Sequence, residues 1–200
     1  LGVGPADLSD PLFNSREPAG DWEMVIKYGG HAMGIGEQMP AHKDALTDEQ
    51  IANVTAYGKS IVDTSAYPPG EMNLFLATRT KKAFPEDEVV YKARSTNQPG
   101  DNPLKSVLEI EKRIGKRGQG ILELVHVNDA VRSELTDVEV GYKHALSWSP
   151  DHILSGAIIY AAPVNSSDSD GELQTYLAYG TDLSPSWILQ RSLRLKFPMD

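Results

Sequence analysis

Beyond about residue 70 the chain alternates. Trp187, Leu189, Arg191, Leu193, Leu195 and Phe197 interleave with Ile188, Gln190, Ser192, Arg194 and Lys196; five of the first six are apolar and four of the other five are polar. Side chains two apart share a face of an extended chain, so this spacing predicts a strand with one apolar and one wet face. Val138, Val140, Tyr142, His144 and Leu146 alternate with Glu139, Gly141, Lys143 and Ala145 in the same way. Further runs of strand character span 72–79, 87–95, 105–114, 119–128, 153–162 and 172–180. The joints are turn material: Gly115 to Gly118, Ser149-Pro150-Asp151-His152, Asn165 through Gly171, and Asp182 to Ser186. Consecutive short strands with short joints predict an antiparallel β-meander.

Before residue 67 the period is helical. Trp22, Val25 and Ile26 fall at i, i+3, i+4 spacing, which predicts a helix from about Asp21 to Tyr28 ended by Gly29-Gly30. A second helix is expected from about Asp48 to Ile61. Thr47 and Gln50 form a capping box at its start, and Asp48 and Glu49 sit where the helix dipole favours negative charge. Ile51, Val54, Gly58 and Ile61 are expected on one face, with Gly58 marking a close approach to another helix or a cofactor. Tyr67-Pro68-Pro69-Gly70 is a strong breaker between the two regimes. The expected fold class is therefore α+β: a small all-α domain over 1–66, then an antiparallel β-rich, barrel-like domain over 67–200.

Charge narrows the partners. Of 200 residues 19 are basic and 28 acidic, a net charge of -9. Segment 1–66 holds 4 of the basic and 10 of the acidic groups. With no basic stripe, a nucleic-acid partner is not expected. The chain has no cysteine, which excludes disulfides and thiolate chemistry. No apolar run approaches the roughly 18 residues of a transmembrane helix, but a transmembrane β-barrel needs only short alternating strands. The chain starts at Leu1-Gly2-Val3-Gly4-Pro5 without a basic-then-apolar leader, and both ends read as cut from a longer protein.

Several motifs occur in order over the first sixty residues. Gly4-Pro5-Ala6-Asp7-Leu8 is followed by Asp10-Pro11, then Trp22 to Gly30, then Met39-Pro40-Ala41, then Leu46-Thr47-Asp48-Glu49-Gln50-Ile51 running on to Tyr57-Gly58-Lys59-Ser60-Ile61. Together they resemble a class I c-type cytochrome from just after its haem-attachment helix to its end. The resemblance implies a partial cytochrome c domain, haem c as cofactor and Met39 as the sixth iron ligand. It implies Pro5 packing near the proximal side, Pro40 fixing the backbone after the ligand, and Ile26, Val54 and Tyr57 lining the haem crevice. A thioether paired with histidine raises a haem's reduction potential. Met33 is a competing thioether, and His31 and His42 are candidate substitutes for the proximal histidine. The Cys-x-x-Cys-His segment of that family does not occur in the chain.

The second segment resembles bacterial outer-membrane β-barrels of transporter or phenol-degradation type, through Asp137 to Leu146, Ile153 to Pro163 and Gln174 to Gly180. The joint expectation is electron transfer in the parent protein, coupled to an outer-membrane-type β-domain, at the periplasm or outer membrane. It includes a basic-faced redox partner and no catalytic residues. The rival expectation is a haem-free binding or assembly module of the bacterial envelope. Glu86-Asp87-Glu88 reads as a solvated turn, and Asp168-x-Asp170 lacks the rest of a calcium loop. Hydrolase, phosphate-loop, zinc-protease and dinucleotide signatures do not occur.

Overall fold

A computed structural model describes residues 5–70, 80–96, 103–164, 170–184 and 187–199. The expected strand at 72–79 and Asp168 lie outside the described residues. The chain divides into two compact units, Leu1–Phe75 and Leu76–Asp200.

The first unit holds three helices. α1 (Pro11–Arg16) starts at Asp10, whose carboxylate accepts from the Leu12 amide at 2.9 Å, with proline in the first turn where its missing N–H is harmless. α2 (Ala19–Ala32) carries the expected Asp21–Tyr28 stretch past its predicted end. The break still falls at Gly29, whose φ of 82° is left-handed and bends the chain there. α3 (Asp48–Ser60) has both halves of its capping box: the Gln50 amide donates to Thr47 Oγ1 at 3.2 Å, and the Thr47 amide to Gln50 Oε1 at 2.9 Å. The buried stripe of α3 is Ile51, Thr55 and Gly58, while Val54 and Ile61 are exposed. This differs from the expected face because Gly58 seats on the Trp22 ring and sets the rotation of the helix.

The second unit is a seven-stranded antiparallel sheet in which every strand pairs with its sequence neighbours. The strands are β1 (Glu88–Ser95), β2 (Leu104–Ile114), β3 (Gly118–Asn128), β4 (Ser133–Ser149), β5 (His152–Pro163), β6 (Gly171–Ser184) and β7 (Trp187–Met199). Short joints permit only neighbouring pairings, so the up-and-down order follows from the turn spacing. Bulges at Val125/His126, Ala145/Ser147 and Asp182/Ser184 each add a residue to one strand and increase local twist. The sheet curls into a half-barrel.

The α+β expectation of a cytochrome-type helical domain plus a meander is corrected. The described residues are 50% strand and 19% helix, and the helices are short. Pro18, Gly34, Gly36 and Pro40 break the first unit into pieces, whereas the period-two pattern runs almost unbroken through the second. No described helix is long and apolar enough to cross a membrane.

Candidate functional site

The two faces of the curled sheet differ in chemistry, and register assigns each residue to one of them. The pairings Glu109↔Glu123, Glu123↔Glu139 and Glu139↔Ala161 place three glutamates side by side across β2, β3 and β4. On the same face, Arg113↔Gln119, Gln119↔Lys143, Lys143↔Ala157, Ala157↔Tyr176 and Tyr176↔Arg194 form a second row. This face also carries Glu88, Glu111, Ser155 and Gln174, with Ile121, Val125, Ile153 and Ile159 between them. Most of these side chains are buried; Lys143 is only 1% exposed.

The opposite face is apolar and exposed. It presents Val89, Tyr91, Ile110, Val140, Tyr142, Leu146, Ile158, Tyr160, Leu177, Leu193, Leu195 and Phe197 to the outside. The polar members of this face include Lys112, His144 and Arg191. Tyr179 lies beside Leu154, and Tyr160 stands six residues farther along β5, about 20 Å at the rise of a strand.

A strap, residues 80–87, covers the charged face. Thr80 Oγ1 meets Gln190 Oε1 at 3.5 Å, and the Lys81 amide donates to Ser192 Oγ at 3.3 Å. Ser155 Oγ donates to the Ala83 carbonyl, and the Glu86 amide donates to Gln119 Oε1 at 2.7 Å. The Arg113 amide donates to Asp87 Oδ1 at 3.0 Å. Ala83, Phe84, Pro85 and Glu86 are buried as a result. The expected solvated turn at Glu86-Asp87-Glu88 is thus corrected for Glu86, because the strap folds back against the wall.

The strap's lysines meet the wall's acids. Lys81 Nζ lies 3.5 Å from Glu123 Oε1 and 5.8 Å from the centroid of the Tyr176 ring. Lys82 Nζ pairs with Glu86 and, at 3.1 Å, with Glu88. Lys143 Nζ reaches the Lys82 carbonyl at 3.5 Å and Glu86 Oε2 at 4.0 Å, and Lys92 pairs with Glu109. Carboxylates of Glu86, Glu88 and Glu111 lie within 4.8 Å of one another. Two buried polar atoms here, Gln119 Nε2 and Glu123 Oε1, have no hydrogen-bond partner among the described residues. Sequence reasoning passed over Lys81, Gln119, Glu123 and Lys143. The available signal was a wet strand face carrying residues of both charges.

The residues singled out by the cytochrome resemblance lie in the helical unit. The 39–43 segment is stitched to the end of α2: the Gly30 amide donates to the Met39 carbonyl at 2.9 Å, His42 N to the Ile26 carbonyl at 3.0 Å, and Lys43 N to the Lys27 carbonyl at 3.1 Å. Met39 is 36% exposed; Pro5 and Pro40 are exposed and Ile26 is half-buried. Val54 and Tyr57 are 51% and 72% exposed on the open side of α3. His31 is exposed 3.7 Å from Glu37, His42 is half-buried, and Met33 is exposed. A covalently held haem c needs two thiols beside a histidine. The donor set here, thioethers and imidazoles without a thiol, does not fit that group.

Lys59 is anchored within this unit by two hydrogen bonds and a ring contact. Its Nζ donates to the Asn14 carbonyl at 2.6 Å and to the Glu17 carbonyl, and stands 4.0 Å from the Trp22 ring centroid. Burial pushes this ammonium down from its ordinary 10.5 to about 8, against the opposing pull of the Glu17 and Asp21 carboxylates.

No known protein family, curated protein or solved structure matches the chain.

Proposed function

We propose that strands β1 to β7 form the wall of an outer-membrane-type β-barrel in a bacterial envelope, with an interior that holds or passes small polar solutes. The observation that carries this reading is the inverted pattern of the sheet. Its outer face is apolar and exposed, and its inner face is charged and, over β2 to β6, mostly covered. A soluble sheet of this curvature would hide Val140, Ile158, Leu177, Leu193 and Leu195; a bilayer makes their exposure favourable. An apolar band about 25 Å tall with aromatic residues towards its ends is what such walls carry, and the Tyr179–Tyr160 spacing along β5 and β6 is of that order. Strands of 11 to 17 residues in β2 to β7 are long enough to cross. The inner charges then face water rather than lipid.

The helical unit belongs to this reading as a haem-free module. Electron transfer through haem c rests on the resemblance alone, and the thiol-free donor set gives this chain no covalent anchor for the group.

The test is insertion. The chain, refolded with phosphatidylcholine vesicles, should float with them, and lipids brominated along the acyl chain should quench Trp187, which extends the apolar face of β7. The quenching should fall in Trp187→Phe. A chain that folds as a soluble monomer without detergent and stays at the bottom of the gradient would overturn the proposal.

A further inference from the structure

The pocket that Lys81 occupies is built for a primary ammonium. One side is the Glu123 carboxylate, 9% exposed, whose Oε1 has no hydrogen-bond partner among the described residues and lies 3.5 Å from Lys81 Nζ. Another side is the face of Tyr176, 5.8 Å from the same nitrogen. A buried carboxylate and an aromatic face together favour a compact organic cation over a neutral solute, by ion pairing and by attraction to the ring's negative face. The neighbouring Glu109 and Glu139 stand beside Glu123 in register, and Lys92 pairs with Glu109, so this level of the wall sets three carboxylates against two lysines. Lys81 reaches the pocket from the strap, held beside it by the 3.3 Å bond from its own amide to Ser192. The occupant is therefore tethered and competes with anything free.

We infer that the Glu123–Tyr176 pocket is a binding site for alkylammonium solutes, and that the strap's Lys81 is its built-in competitor. This rests on the reading of the charged face as one that meets solutes, and it names their class. A free amine binds by displacing the Lys81 side chain. A tethered competitor lowers apparent affinity by the fraction of time it leaves the pocket empty.

The test uses n-butylamine, a mimic of the lysine side chain, titrated by calorimetry into the full chain folded in detergent micelles. Lys81→Met should bind butylammonium at least tenfold more tightly than the unsubstituted chain, whereas Lys81→Arg should not. Lys81→Met with Glu123→Gln should lose that binding while keeping its far-ultraviolet sheet signal. Lys81→Met with Tyr176→Leu should lose part of it. Equal binding with and without Lys81, or binding indifferent to Glu123→Gln in a folded chain, overturns the inference. Because the titration needs no bilayer, vesicle flotation judges the membrane reading separately: amine binding without flotation would leave the pocket standing and remove the barrel.

Discussion

Gly58 sits against Trp22 so closely that a Cβ on it would lie 2.9 Å from the Trp22 ring atom Cζ3. That distance is shorter than real Cβ contacts allow, and the buried Asn14 of α1 donates through Nδ2 to the Gly58 carbonyl at 3.0 Å. Helix propensity alone favours alanine over glycine by about 1 kcal/mol. Here packing decides, because overpacking costs about 1–3 kcal/mol. Gly58→Ala should lower the stability of the helical unit despite improving its helix propensity. The check is urea denaturation followed by Trp22 fluorescence in a Trp148→Phe, Trp187→Phe background.

Lys59 makes that unit's stability depend on pH. Its folded pKa, about 8, lies below the 10.5 of a free lysine. Between those values the unfolded chain holds a proton that the folded unit has released, so stability rises as pH climbs through this window. Lys59→Met should remove that rise, because no proton is then released there on folding. Lost hydrogen bonds to Asn14 and Glu17 should also lower stability at neutral pH. Denaturation midpoints between pH 7 and 10.5 for the two chains give the comparison.

The strands were legible because each residue's face follows from a period of two and each turn from its residues. The alternation of Trp187 to Phe197 lies inside β7, and the 153–162 run lies inside β5, with the Pro150-Asp151 joint as the turn. Two things were not legible. Alternation divides Tyr176 from Leu177 but cannot say which of them the fold covers, since that depends on curvature set by all seven strands; Tyr176 is buried and Leu177 exposed. The strap's contacts, such as Ser155 with Ala83, join residues 72 apart in sequence, and no local pattern encodes them. In the helical unit the capping box of Thr47 and Gln50 was readable because it is local. The six-residue α1 is too short for a hydrophobic period and was not expected; its Asp10-Pro11 start is the local signal that could have marked it.

Lys143 should be the most costly inner-face residue to neutralise. It is almost wholly buried and stands among Glu86, Glu111 and the Lys82 carbonyl. Removing one partner from a buried charge group costs about 3–5 kcal/mol where the other is left uncompensated, and Lys82, which also pairs with Glu86, moderates that cost here. Lys143→Met should therefore destabilise the β unit strongly, and adding Glu86→Gln should recover part of the loss. A double-mutant cycle in detergent, read by sheet circular dichroism, measures the coupling. Strict additivity of the two changes would show that Glu86 and Lys143 do not act together.

Leu193 and Gln190 offer a sharper contrast, because both are in β7 and point to opposite faces. Leu193 pairs with Leu177 on the exposed apolar face, and Gln190 pairs with Gly180 on the face the strap crosses. If lipid meets the outer face, an arginine at 193 must enter hydrocarbon, at about 2–4 kcal/mol near the bilayer midplane. An arginine at 190 joins a face already carrying Arg194 and Lys196 and meets water. Leu193→Arg should therefore reduce the fraction of chain recovered with phosphatidylcholine vesicles by on the order of tenfold or more, an effect of over about 1.4 kcal/mol, while Gln190→Arg should change it little. The same pair separates lipid from water as the solvent of the apolar face. In a soluble sheet, an arginine at the exposed 193 would be harmless or would improve solubility, and the ranking of the two variants would vanish or reverse.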